Sequence, residues 1–203
     1  MPRRDSDQPS GNISGLYATL QMLEKDRRRT AETLGSRPYG VATCEVFDAL
    51  IARVRAVIEK AAPDAGKPLL LIKNHAGDIA ATLRIVARAL EGIAAIDREA
   101  KEVLVQQRQP FIRLLERIES EGYTVDTDTF TTVTDGWDWS PDADDTETVQ
   151  EQLEAEKASR AEQAARYQQR LERMDTAFNN LESAFGERLR DLIEPLPDVL
   201  KSP

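Results

Sequence analysis

The side chains able to do chemistry are few and scattered. His75 is the one histidine among 203 residues, and Asp78 follows it by about one helical turn. A nucleophile with a histidine base could be built only around His75. Such a site also needs oxyanion donors in a preorganised pocket, and the chain has no Gly-x-Ser-x-Gly element or Gly-rich phosphate loop. His75 therefore reads as an exposed or capping residue. Cys44 is the lone cysteine, so no intramolecular disulfide can form. One Cys and one His also lack the count and spacing of a zinc site, and a di-iron bundle needs two Glu-x-x-His motifs. Asp142, Asp144, Asp145 and Glu147 are crowded enough to hold calcium, but the EF-hand order with its central Gly is missing, and the stretch reads as a solvated acidic loop. The expectation is a non-enzymatic chain with no catalytic residue, no metal and no cofactor.

Trp137 and Trp139 are more pointed. In an extended stretch they share a face, with Asp138 on the other. They can clamp a lid onto helices, or form a partner-binding patch, since exposed Trp in an acidic frame suits a binding hot spot. The frame is acidic: between Ile118 and Glu156 lie thirteen of the 36 acids and none of the 27 Lys and Arg. The formal net charge of -9 argues against nucleic acid as a partner, because binding to phosphates depends on a cationic surface.

The elements that must position these residues are helical. Val46, Phe47, Leu50, Ile51, Val54, Val57 and Ile58 recur by threes and fours, on one side of a helix. Ile72, Ile79, Leu83, Val86 and Leu90 repeat the device after the turn Pro63-Asp-Ala-Gly-Lys-Pro68. Two such stripes must face each other or a third helix, so residues 43–104 are expected to form a helical hairpin. Residues 1–11 are polar and expected to be disordered. A helix from Asn12 or Ser14, with Ile13, Leu16, Tyr17, Leu20 and Leu23 as its stripe, ends by Gly35. Its Glu24-Lys-Asp-Arg-Arg-Arg29 run reads as a solvated face, and Ser36-Arg-Pro-Tyr-Gly-Val41 as a turn-rich link.

The hairpin's second arm continues to Gln109, and Pro110 is expected to kink or break it before Phe111, Ile112, Leu114, Leu115 and Ile118. Residues 69–109 alone would span about 60 Å, which calls for an elongated arrangement. After Gly122, the run Tyr123-Thr-Val-Asp-Thr-Asp-Thr-Phe-Thr-Thr-Val-Thr134 suits a short two-stranded hairpin. A second long helix from Thr146 or Glu147 to about Ile193 carries Leu153, Ala164, Tyr167, Leu171, Met174, Phe178, Leu181, Phe185 and Leu192 near a heptad seam.

The expected fold is all-α. An elongated helical hairpin or bundle covers residues 12–121, a Thr-rich β-hairpin and acidic Trp loop 122–145, a long C-terminal helix packing on the hairpin 146–194, and a tail 195–203. The expected partner-binding residues are Trp137, Trp139, Leu171, Phe178 and Phe185. No apolar run approaches the roughly 20 residues of a membrane span. Met1-Pro-Arg-Arg4 is not followed by the apolar core of a Sec signal peptide.

The run Arg37-Pro-Tyr-Gly-Val-Ala-Thr-Cys-Glu-Val-Phe-Asp-Ala-Leu50, with Ala76-Gly-Asp-Ile-Ala-Ala-Thr-Leu-Arg-Ile-Val-Ala-Arg-Ala-Leu90 after the turn, resembles the actinobacterial ESX secretion-associated family typified by EspC. That family is similar to the WXG-type helical hairpins exported by type VII secretion systems. The later part, with Gly122-Tyr-Thr-Val125 and Thr132-Val-Thr-Asp135, is similar to helical N-terminal regions of larger type VII effectors. The resemblance implies a helical hairpin that pairs with another helical secretion-associated protein and is recognised by a membrane-embedded export ATPase. It further implies a protein that is cytoplasmic before export and secreted or at the cell surface afterwards. The residues four after Tyr17, Tyr39, Tyr123 and Tyr167 are Gln21, Thr43, Thr127 and Leu171, so the family's Tyr-x-x-x-Asp/Glu export signal is missing, as is Trp-x-Gly in the turn. In this family one member of a heterodimer can carry the signal for both. The chain is thus expected to be an exported substrate, an effector-associated module or a signal-lacking heterodimer partner. On either reading a homo- or hetero-oligomer is expected, and the alternative function is a cytosolic coiled-coil adaptor or chaperone that is not itself secreted.

Overall fold

The computed structural model describes residues 13–61, 69–139 and 147–194. Four helices, α1 (Ile13–Leu34), α2 (Pro38–Ala61), α3 (Leu69–Ser120) and α4 (Glu147–Arg190), and two short strands, β1 (Tyr123–Val125) and β2 (Val133–Asp135), make an all-α protein. The disordered start expected for residues 1–11, the turn Pro63–Pro68, the acids Asp142, Asp144 and Asp145, and the tail 195–203 lie outside the described residues. Two compact units are present, Met1–Ala100 with Glu182–Pro203, and Lys101–Leu181.

In the first unit α1 stops where Gly35 takes a left-handed conformation, φ 58°, and donates its N–H to the Ala31 carbonyl at 3.2 Å. The helix resumes at Pro38, where a missing N–H is harmless and φ is already helical. Most of the stretch expected to be a turn-rich link is therefore the first turn of α2, and the true link is three residues long. α1 packs on α2 with Leu16 and Leu23 fully buried. The pairs Arg27–Asp48 and Arg55–Glu24 fix the two helices as antiparallel.

The stripe of α2 is the core of this unit: Val46, Leu50 and Val54 are fully buried, and Phe47, Ile51 and Ile58 nearly so. α3 runs antiparallel to α2. The Lys60 ammonium meets the Asp78 carboxylate at 2.7 Å near one end, and the Tyr39 hydroxyl approaches Asp97 at 3.5 Å near the other. The close of α4 enters the same unit. Phe185 meets Tyr39 edge to face at 6.4 Å, Arg188 grips Glu99 through two hydrogen bonds, and Arg190 pairs with Glu45. Gly186 permits the close approach, since a Cβ there would lie 3.1 Å from the Ala42 Cβ.

In the second unit α3 passes Pro110 as one helix, without the break the sequence suggests. Proline removes one N–H from the helical ladder. Pro110 and Gln106, whose carbonyl loses its partner, are both exposed, so water can satisfy that carbonyl. Leu114 and Ile118 of α3 form a core with Tyr123 and Val133 of the strands and Ala164, Tyr167 and Leu171 of α4. The strands pair antiparallel with Tyr123 opposite Asp135 and Val125 opposite Val133. Their alternation turns those residues inward and leaves Thr124 and Thr134 exposed.

Replacing Leu50 by Ala should cost about 2–5 kcal/mol, read as a lower urea midpoint of the helical circular dichroism signal. Arg27→Ala removes an ion pair that is largely exposed on both sides and should leave that midpoint close to wild type.

Candidate functional site

The site grows out of the end of α3. Gly122 adopts φ 82° and bonds its N–H to the Glu119 carbonyl at 3.0 Å, ending the helix in a conformation that residues with a side chain adopt at a penalty. β1 leaves from this point. Opposite, the Gly136 N–H bonds the Gly122 carbonyl at 3.1 Å, so close that a Cβ on Gly136 would lie 2.7 Å from that oxygen. The ladder thereby runs one pair past Asp135 and delivers Trp137, Asp138 and Trp139 in a fixed direction. At the far end the Asp126 carboxylate accepts the Asp128 and Thr129 N–H groups, an Asx turn. The loop carries Phe130 at φ 55°.

One carboxylate holds the site together. Asp135 accepts from Arg160 Nη2 at 2.7 Å and Nε at 3.0 Å, from the Trp137 backbone N–H at 3.1 Å, and from Trp139 Nε1 at 2.9 Å. The Arg160 and Asp135 side chains are only 19% and 15% exposed. The guanidinium lies 4.4 Å from the centre of the Tyr123 ring and 5.5 Å from that of Trp137. Hydrogen bonding to Arg160 holds the Asp135 carboxyl below its ordinary range. Nearby, Glu121 accepts the Tyr167 hydroxyl and Arg117 Nε, in that order the causes of its own lowered pKa. Burial pushes the Tyr123 hydroxyl up.

The two indoles emerge from this clamp side by side, centroids 6.4 Å apart and planes tilted by 42°. Trp137 is 61% exposed and Trp139 half-buried. The Asp135 bonds hold the Trp137 backbone N–H and the Trp139 indole nitrogen at the hairpin, and the Trp137 ring lies under the Arg160 guanidinium of α4. Trp139 forms one wall of a cleft of about 310 Å³, lined also by Gln150, Leu153, Glu154 and Lys157 of α4.

Of the five residues expected to bind a partner, the structure brings together Trp137 and Trp139 alone. Leu171 is fully buried in the core of the second unit, Phe185 is 4% exposed in the first, and Phe178 is half-buried. Leu171 and Phe185 are covered by this chain's own side chains, which corrects their assignment to a partner surface. Arg160 and the α4 wall of the cleft were not anticipated. The available signal was that Lys157 and Arg160 are the first cations after the long acidic run.

The remaining chemical candidates sit elsewhere. Asp78, three residues after His75, is hydrogen-bonded to Lys60, which holds its carboxyl low. The Cys44 thiol is half-buried and pushed up by burial, opposite to the activation of a nucleophile. Among the described residues no group of three His, Cys, Asp or Glu could hold a metal ion, and no helix is long and apolar enough to cross a membrane. No protein-family model, curated protein or solved structure matches the chain.

The depressed pKa values give the site a pH dependence with a definite sign. Asp135 and Glu121 are lowered in the folded state. Their contribution is therefore complete above the ordinary carboxylate range near pH 4 and is lost as pH falls below it, through their folded values. Tryptophan emission should stay native from pH 7 to about 4 and change only below that. Asp135→Asn should show red-shifted emission already at pH 7 with helix content retained, and a wild-type acid step centred above about pH 5 would contradict the clamp.

Proposed function

We propose that the chain is a non-enzymatic helical interaction protein of a type VII (ESX) secretion system, acting as an exported substrate, an effector-associated module or a heterodimer partner. The observation that carries the interaction reading is Trp137, 61% exposed on a hairpin held by Asp135 and Arg160. A large indole in water is unfavourable, and a side chain carried on a backbone already fixed by Asp135 loses less freedom on docking, which is the profile of a binding anchor. The antiparallel pair α2 and α3 is the architecture that the resemblance to EspC-like and WXG-type hairpins implies, and it supports the secretion reading. The partner on this reading is another helical secretion-associated protein or the export machinery. The 44-residue α4 favours a second reading, a cytosolic coiled-coil adaptor or chaperone.

Co-expression with proteins encoded by neighbouring genes tests the reading. A small helical protein should co-purify, and Trp137→Ala should weaken its binding at least tenfold with the helical signal unchanged. A stable monomer without affinity for any neighbour would sink the heterodimer role. Culture filtrate and lysate, compared with and without the export ATPase, separate the two readings: protein found only in lysate in both strains selects the cytosolic adaptor.

A further inference from the structure

The cleft beside Trp139 carries the interaction reading on to the chemistry of the partner. Its apolar lining is Trp139, whose indole Nε1 is bonded to Asp135, and the half-buried Leu153. Glu154 supplies a carboxylate among the lining residues. Asp138, Glu151 and Glu156 are exposed on the same hairpin end and the same stretch of α4, within the run of thirteen acids that contains no base. Lys157 offsets one of these charges.

We propose that this cleft docks a basic segment of a partner protein. One Arg or Lys of that segment lays its aliphatic stem on Trp139 and Leu153 and turns its cation to Glu154. A volume of about 310 Å³ is at the small end for a ligand site and suits one or two side chains. Arg and Lys bury their stems on apolar surface while the charged end stays polar, and an indole face attracts the cation. The surrounding acids steer a cationic segment in and disfavour an anionic one. The proposal rests on the reading of the chain as an interaction protein.

Of the two tryptophans of the chain, Trp139 lines the cleft and Trp137 stands beside it with ring centres 6.4 Å apart, so intrinsic emission reports on the cleft directly. The full chain is titrated with a synthetic amphipathic peptide of Lys, Arg and Leu, and separately with a counterpart carrying Glu in place of each Lys and Arg. The basic peptide should give a saturable emission change that weakens with added salt, and the acidic peptide none. Gln150→Arg, on an exposed residue of the cleft, should weaken the basic peptide at least tenfold with helix content unchanged, and Leu153→Ser should do the same. Equal binding of the acidic peptide, or wild-type affinity in Gln150→Arg, overturns the proposal. A dimer in sedimentation that Gln150→Arg abolishes overturns it too, by assigning the cleft to a second copy of the chain. A neighbour that co-purifies equally well with Gln150→Arg overturns the cleft while leaving the interaction reading intact, whereas failure to capture any neighbour strikes at that reading itself.

Discussion

The second unit depends on the saturation of one carboxylate. Asp135 stands at the end of a three-residue strand, an element too short to hold itself in water. A guanidinium, a backbone amide and an indole N–H all converge on it. Charge-assisted hydrogen bonds are the strong ones, and a bidentate guanidinium adds direction as well as energy. Arg160 is in turn flanked by the rings of Tyr123 and Trp137 and reaches the Glu121 and Gly122 carbonyls at 3.4 Å. A single side chain of α4 thus ties together the turn that follows α3, both strands and the tryptophan segment. The acid-rich composition that surrounds it makes this cation the natural centre of attraction.

The first unit is held differently, by apolar area. Leu16, Leu23, Leu50, Val46 and Val54 lie in its interior without contact with solvent, and its ion pairs are mostly on exposed rims, where such pairs add little. An exception is Glu182, 3% exposed and paired with Arg37 at 3.3 Å. A carboxylate so removed from water needs its cation, and the pair joins α4 to the short link ahead of α2. This is a constraint on geometry more than a source of stability.

The helices were legible in the sequence because a 3.6-residue stripe has one physical use, and the stripe of α2 is the core that its spacing describes. The start of α2 was not, because Ser36-Arg-Pro-Tyr-Gly40 has the composition of a turn, while Pro at the first helical position is as much a beginning as an interruption. Leu171 and Phe185 show a deeper limit. A heptad seam says that a face will be covered, and not whether the cover comes from the same chain. The exposure of Trp137 was out of reach for the same reason. It is decided by Arg160, 23 positions later in the chain, through a strand register that local patterns do not encode.

The stretch of α3 that leads to Pro110 is continuous in form but uneven in durability. From Lys101 to Pro110 only Val103 and Leu104 are even half-buried, and Val105 is 59% exposed. Here the helix is kept by its own ladder rather than by a packed neighbour, and the proline takes one rung away. Helical segments with few buried contacts open at a small fraction of the global unfolding free energy. The amides between Lys101 and Gln109 should therefore exchange faster than those of the packed interior turns of α3, and within that helix's interior the same backbone is the most open to a protease.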